Sequence, residues 1–121
     1  MTDDAKTASK AAAIFDECYR LILEIYEDVR GFPKSQKFVL GQRIETTSVS
    51  VLAGLIEANH VRDRAPPLRA ASVEVEKLRV FVRLAKDLRF LDFKRYERLS
   101  GRIDTIGRMR GGGIKWAEAR R

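Results

Sequence analysis

Apolar residues recur every three or four positions along almost the whole chain, and the strict alternation typical of strands is absent. This spacing places apolar side chains on one face of an α-helix. The stripe is plainest near the start of the chain, at Ile14, Cys18, Leu21, Ile25 and Val29. Helix-breaking residues interrupt the pattern at Gly31 with Pro33, at Pro66-Pro67 and at the three glycines 111–113.

These breaks, with a change in the phase of the apolar stripe near Asp92, divide the chain into helical segments. We predict four helices, over about 7–30, 35–62, 67–91 and from 93 to 109 or beyond. Four helices with short joints favour an all-α fold, an antiparallel up-and-down four-helix bundle. A chain of 121 residues favours a single domain over 1–121, with an ordered core at about 10–110.

Two of the helices have unusual surfaces. The second carries no charge from Thr46 to Ile56 and has small residues there, including Gly54, so we expect a neighbouring helix to approach it closely. The third has an apolar arc of roughly 200°, about twice the stripe that a helix needs to pack on one core. The arc comprises Leu78, Val80, Phe81, Val82, Leu84, Ala85, Leu88 and Leu91. Its excess width predicts a second contact surface, most simply in a homo-oligomer.

The end of the chain leaves two alternatives open. Three consecutive glycines would cost a helix about 2–3 kcal/mol relative to alanine, so either the fourth helix ends at Arg110 or close packing holds it. Trp116, beyond the glycines, either binds a partner or folds back onto the end of the bundle.

Catalytic and metal chemistry find little support in the sequence. One cysteine and one histidine exclude a disulfide framework and a zinc site, and the motifs of phosphate-binding loops, serine hydrolases and zinc proteases are absent. Cys18 lies in the apolar stripe, His60 lies near a helix end, and Glu24 and Asp28 lie on a face that we expect to be solvated. We therefore predict no catalytic residues, no metal site, no cofactor and no enzymatic activity.

No run of about 18 apolar residues occurs, which predicts that the chain has no membrane span and no membrane partner. The acidic start lacks the apolar core of a secretory signal. We therefore expect a cytoplasmic protein.

Positive charge is confined to the second half of the chain. Residues 1–60 contain 7 Lys and Arg against 9 Asp and Glu, whereas residues 61–121 contain 17 against 8. The two halves thus carry −2 and +9, within a net charge of +7. This asymmetry predicts an anionic partner for the second half, most simply nucleic acid, with solubility alone as the alternative.

The basic residues of this half segregate onto faces of the third and fourth helices. We predict that nucleic acid binds Arg79, Arg83, Lys86, Arg89, Lys94, Arg95, Arg98 and Arg102, because the planar guanidinium suits phosphate and base contacts. The alternative is that the arginines pair with the acidic first helix of another subunit. Phe90 falls on the arc of Arg83, where it would stack on an unpaired base or pack against a neighbouring subunit.

Several of these residues lie in longer runs. Phe32-Pro33-Lys34 opens the second helix, R-x-x-x-R-L-A-x-D-L spans Arg79 to Leu88, Tyr96 lies in the fourth helix, and I-G-R-M-x-G-G closes it from Ile106. With these runs the chain resembles the accessory variability determinant (Avd) proteins of diversity-generating retroelements over residues 14–116. It also resembles the four-helix bundles encoded in intervening sequences of large-subunit ribosomal RNA genes, although the last motif favours the retroelement branch.

The resemblance implies a basic, non-enzymatic four-helix bundle that assembles as a homopentameric barrel. It further implies binding to RNA or DNA and to the retroelement's reverse transcriptase, which copies template RNA into cDNA with mutations at adenines. The chain departs from the family ending at Arg110 and Gly113, where an apolar residue and a tryptophan are usual. This departure suggests an altered C-terminal contact.

Two other functions remain as alternatives. A self-assembling structural protein of the intervening-sequence type would use its basic face for subunit contacts only. A small RNA-processing enzyme would need a catalytic partner for His60, and the nearest preceding arginine, Arg43, is too distant along the chain.

Overall fold

The computed structural model describes residues 2–119, and the side chains of residues 11–109. Four helices account for most of these residues. Helix α1 spans Thr2–Val29, α3 spans Ala65–Asp87 and α4 spans Phe93–Ala119. Helix α2 (34–60) begins as Lys34–Gln36, passes through a π-helical turn at Lys37–Gly41 and continues as Gln42–His60. Strands are absent from the described residues, which confirms the all-α prediction.

Each helix packs against the next one along the chain, and α4 packs back against α1 to close the bundle. Ion pairs show the antiparallel direction, because Arg98 of α4 meets Glu24 while Arg102 meets Glu17, further towards the start of α1. The arrangement confirms the up-and-down bundle. Its core contains the predicted α1 stripe together with Ile44, Val51, Leu55, Val75, Leu78, Val82, Leu99, Ile103 and Ile106.

The ends of α3 differ from the prediction. The helix begins at Ala65, two residues before the predicted start, because proline fits the first helical turn, where its missing N–H is not needed. It ends at Asp87 and does not reach Leu91. The N–H of Phe90 donates to the carbonyl of Ala85 at 2.9 Å, and Arg89 takes a left-handed φ of 66°. This is the Schellman arrangement, which glycine usually completes; arginine there costs about 1–2 kcal/mol.

Helix α4 continues across the three glycines to Ala119, so the alternative in which it ends at Arg110 is wrong. The side chain of Trp116 lies outside the described residues. The close approach at Gly54 is confirmed, because a Cβ atom added there would lie 3.0 Å from the Cβ of Ala71 on α3. Phe38 and Ile56, by contrast, belong to the apolar pattern of the second helix but are exposed.

The wide apolar arc of α3 divides between the core and the outside of the bundle. Leu78, Val82 and Ala85 are buried, whereas four residues on the other side of the helix are exposed. These four, which we name the outer stripe of α3, are Val73, Val80, Leu84 and Leu88. The structure thus bears out the surplus apolar surface that the sequence predicts.

Candidate nucleic-acid interface

The eight basic residues that the sequence predicts as nucleic-acid ligands separate into two groups. Three of them, Arg95, Arg98 and Arg102, lie on the side of α4 that faces α1. The other five are Arg79, Arg83, Lys86, Arg89 and Lys94, which lie on α3 or around its junction with α4. The two groups have different partners.

The α4 group forms a ladder of ion pairs with the acidic residues of α1. Arg102 meets Glu17 at 2.8 Å and Glu24 at 2.5 Å. One turn earlier, Arg98 meets Glu24 at 3.0 Å and donates a hydrogen bond to Asp28. Arg95 completes the ladder, with its Nε 3.6 Å from the Asp28 carboxylate. These arginines therefore bind an acidic helix, as one alternative expected, but the helix belongs to the same chain.

Asp28 is the most buried member of the ladder, with only 6% of its side chain exposed. Desolvation raises the pKa of Asp28 above its ordinary value, and the hydrogen bond and charge of Arg98 act in the opposite direction. The prediction of a solvated face for Glu24 and Asp28 is wrong, because α4 covers both carboxylates. The two halves of the chain thus neutralise part of each other's charge.

On α3 the pairs are looser. Arg79 binds Asp104 of α4 and lies 3.5 Å from Glu76. Within the described residues Arg83 pairs only with Asp87, at 3.8 Å, and its side chain remains 72% exposed. Exposed pairs of this kind contribute about 0–1 kcal/mol, so a phosphate could replace Asp87 at little cost.

Five residues surround the junction of α3 and α4, and we name them the α3–α4 corner: Lys86, Arg89, Phe93, Lys94 and Tyr96. Lys86 Nζ lies 4.6 Å from the centre of the Tyr96 ring, and the Phe93 ring lies 6.3 Å from that ring. Arg89 and Lys94 are exposed and have no ion pair within the part of the chain that the structure describes. The corner therefore combines uncompensated cations with an aromatic surface.

The family assignment agrees with this basic helical bundle. The model of the bAvd-like family matches residues 13–117. The chain belongs to the bAvd-like family. Among solved structures, it is similar to a protein of unknown function from the S23 ribosomal protein family of Bacteroides thetaiotaomicron. The two are 20% identical, the match covers 88% of this chain and 98% of the other, and the TM-score is 0.81, which shows a shared fold. No curated protein matches the sequence.

In this bAvd-like chain, the Phe90 ring lies 5.9 Å from the ring of Phe32 and is partly buried against the core. Neither prediction for Phe90 included this contact within the chain. Phe93, which the sequence pattern did not single out as a ligand, is the more exposed aromatic of the α3–α4 corner, with 64% of its surface accessible. The change of helix phase after Asp92 is the signal that could have identified it.

The surroundings of Cys18 in the core of the bAvd-like bundle make its thiol unreactive. Cys18 is buried, and desolvation raises the pKa of its thiol to about 12, which keeps it protonated and unreactive. His60 is the last residue of α2 and is exposed. The described residues contain no group of three side chains suited to a metal ion. Within the same residues, none of the helices has the length and apolar character needed to cross a membrane.

Proposed function

We propose that this bAvd-like chain is a non-enzymatic accessory protein of a diversity-generating retroelement, which binds nucleic acid and supports mutagenic reverse transcription of template RNA. One observation carries the nucleic-acid part: after the ladder has neutralised three arginines of α4, Arg83 stays exposed and Arg89 and Lys94 stay unpaired within the described residues. Membership of the family supports the retroelement part.

We propose that four residues carry most of the binding: Arg83, Lys86, Arg89 and Lys94. In the described residues Arg89 and Lys94 have no ion pair, and the ion pairs of Arg83 and Lys86 are with Asp87, so a phosphate there would break no ion pair between helices. The remaining predicted ligands are Arg79, Arg95, Arg98 and Arg102, each of which would have to exchange a carboxylate for a phosphate. We propose that these four mainly hold α4 against its neighbours.

Reversing the charge of Arg83 tests the proposal. We expect Arg83→Glu to weaken binding to a structured RNA and to reduce the slope of log affinity against log salt by about one, because one phosphate contact is lost. Fluorescence anisotropy between about 50 and 200 mM salt measures both quantities. Arg20→Glu is the matched control, because Arg20 is also exposed in an i,i+4 pair with an aspartate, at 3.2 Å, but lies on α1. Equal affinities for the two variants would contradict the proposal.

The outer stripe of α3 supports assembly into a homo-oligomer, for which the family resemblance implies a pentamer. We expect Leu84→Glu to shift the particle towards the 13.8 kDa monomer, because a charge in the stripe would be desolvated on contact with another subunit. Sedimentation velocity measures the mass, and circular dichroism confirms that the helices persist. Gly101→Glu is the control, since space around that position is open. An unchanged mass for Leu84→Glu would remove the stripe from the subunit interface.

We propose a reverse transcriptase as the second partner, and co-purification of this chain with the reverse transcriptase of its retroelement tests that proposal. The alternative function is a self-assembling structural protein without catalytic activity. It is favoured by the shared fold of the S23-family protein. That alternative predicts the same oligomer, but it also predicts that Arg83→Glu leaves the affinity for RNA unchanged.

A further inference from the structure

The α3–α4 corner holds an arginine in a backbone conformation that arginine disfavours. Arg89 has a φ of 66°, and its N–H donates to the carbonyl of Lys86 at 2.9 Å within the turn that ends α3. Glycine adopts this conformation without strain and is the usual residue at this position. Strained residues of this kind cluster at functional sites, which points to a functional role for the side chain of Arg89.

No carboxylate near the corner forms an ion pair with Arg89 in the described residues. Asp87 is engaged by Lys86 at 3.3 Å and by Arg83 at 3.8 Å. Asp92 caps α4, where its carboxylate accepts the N–H of Arg95 at 2.8 Å and pairs with the same residue's guanidinium. Glu97, three residues after Lys94 on α4, has no ion pair in the described residues. The cations of Arg89 and Lys94 therefore stay uncompensated on both sides of Phe93 in the chain.

Phe93 supplies a flat apolar surface between these two cations in the chain. It is the first residue of α4 and is 64% exposed. Its contact with the Tyr96 ring, which Lys86 in turn approaches, holds it against the bundle. Exposed aromatic rings flanked by cations are the usual platform for unpaired nucleotides, because a base stacks on the ring while its phosphates meet the charges.

We propose that the α3–α4 corner binds single-stranded nucleic acid, with a base stacked on Phe93 and the flanking phosphates on Arg89 and Lys94. This inference rests on the proposed nucleic-acid binding and adds its location and its preferred ligand. A duplex fits less well, because its bases already stack on each other and leave no face for Phe93.

Arg89→Gly separates a binding role from a structural one. We expect this variant to melt about 4 °C higher, because glycine relieves the strained turn, and to bind a fluorescent single-stranded RNA oligonucleotide several-fold more weakly. Its salt slope should fall by about 0.7, the contribution of one phosphate contact on a single strand. Arg62→Gly is the control, because it removes the same charge from the exposed connection between α2 and α3. A higher melting temperature with unchanged affinity would overturn the proposal.

Variants of Phe93 test the stacking contact. We expect Phe93→Leu to lose at least about fivefold in affinity for the single strand, whereas Phe93→Tyr, which keeps an aromatic face, retains it. Glu97→Gln should strengthen binding, because it removes a nearby negative charge. Both Phe93 variants should change the affinity for duplex RNA of the same length only slightly.

The outcomes separate this inference from the function on which it rests. If Arg83→Glu weakens RNA binding while the Arg89 and Phe93 variants do not, the corner is excluded and nucleic-acid binding stands. If the wild-type protein binds neither single-stranded nor duplex RNA at low salt, both fail. If the corner variants lose the reverse transcriptase but keep the oligonucleotide, the corner is a protein contact and the proposal is overturned.

Discussion

Replacing Arg98 by glutamate should remove a substantial part of the protein's stability. The variant would place a carboxylate against Glu24 and against Asp28, whose side chain is only 6% exposed. Removing one partner of a fully buried pair costs about 3–5 kcal/mol, but 46% of the Arg98 side chain is exposed and solvent screens its charge. We therefore expect Arg98→Glu to lower the free energy of unfolding by about 2–3 kcal/mol in urea denaturation, between the values for exposed and buried pairs. A domain of this size has about 5–15 kcal/mol in total. Arg83→Glu should cost about 1 kcal/mol or less, because Arg83 is 72% exposed.

The pH dependence of the stability of Arg98→Ala identifies why loss of Arg98 destabilises the protein. Desolvation raises the pKa of Asp28 in the folded chain, and ionisation of that carboxyl therefore opposes folding at pH values above the folded pKa. Removing Arg98 deletes both interactions through which Arg98 lowers this pKa, so the cost of ionisation grows. We expect the destabilisation to be largest near pH 7 and to shrink as the pH falls through the raised pKa of Asp28, below which this carboxyl is protonated. A destabilisation that stays constant over this range would show that lost packing, rather than the charge of Asp28, is responsible.

The ladder also shows where reasoning from the sequence stops. Helical spacing is sufficient to predict four helices and a bundle, because each helix needs only its own apolar stripe to be recognised. The acidic face of α1 and the basic face of α4 are equally visible. Their mutual pairing is not, because it depends on α4 closing the bundle beside α1. A prediction that treats Arg98 and Arg102 as unpaired therefore assigns to nucleic acid two charges that form ion pairs with α1.

Errors in the predicted helical phase around residues 87–93 account for the other differences between the sequence prediction and the structure. The sequence places Phe90 on the arc of Arg83 by continuing α3 to Leu91, but the helix ends at Asp87 and the turn redirects Phe90 towards Phe32. No sequence rule anticipates that turn, because arginine stands where glycine is usual. The same turn leaves Phe93 exposed at the start of α4. The turn that the sequence did not predict thus lies in the corner to which we assign a function, and it contains Arg89.

The second large effect concerns two glycines that sequence reasoning alone would treat alike. Gly54 lies where α2 meets α3, and a Cβ atom there would approach Ala71 Cβ at 3.0 Å and the carbonyl oxygen of Pro67 at 3.6 Å. Gly101 on α4 has nothing within 4 Å of the same position. Leucine at Gly54 would force the two helices apart, and overpacking of this kind costs about 1–3 kcal/mol or more. We expect Gly54→Leu to destabilise the protein by about 3 kcal/mol.

Gly101→Leu should change stability in the opposite direction. Leucine has a better helix propensity than glycine by somewhat under 1 kcal/mol, and open space around Gly101 allows that gain to be realised. Urea denaturation of both variants at one protein concentration measures a difference of about 3–4 kcal/mol for the same chemical change. Equal stabilities would mean that α2 and α3 do not approach closely at Gly54. Since propensity favours leucine at both sites, only the contact with Ala71 and Pro67 can make the signs differ.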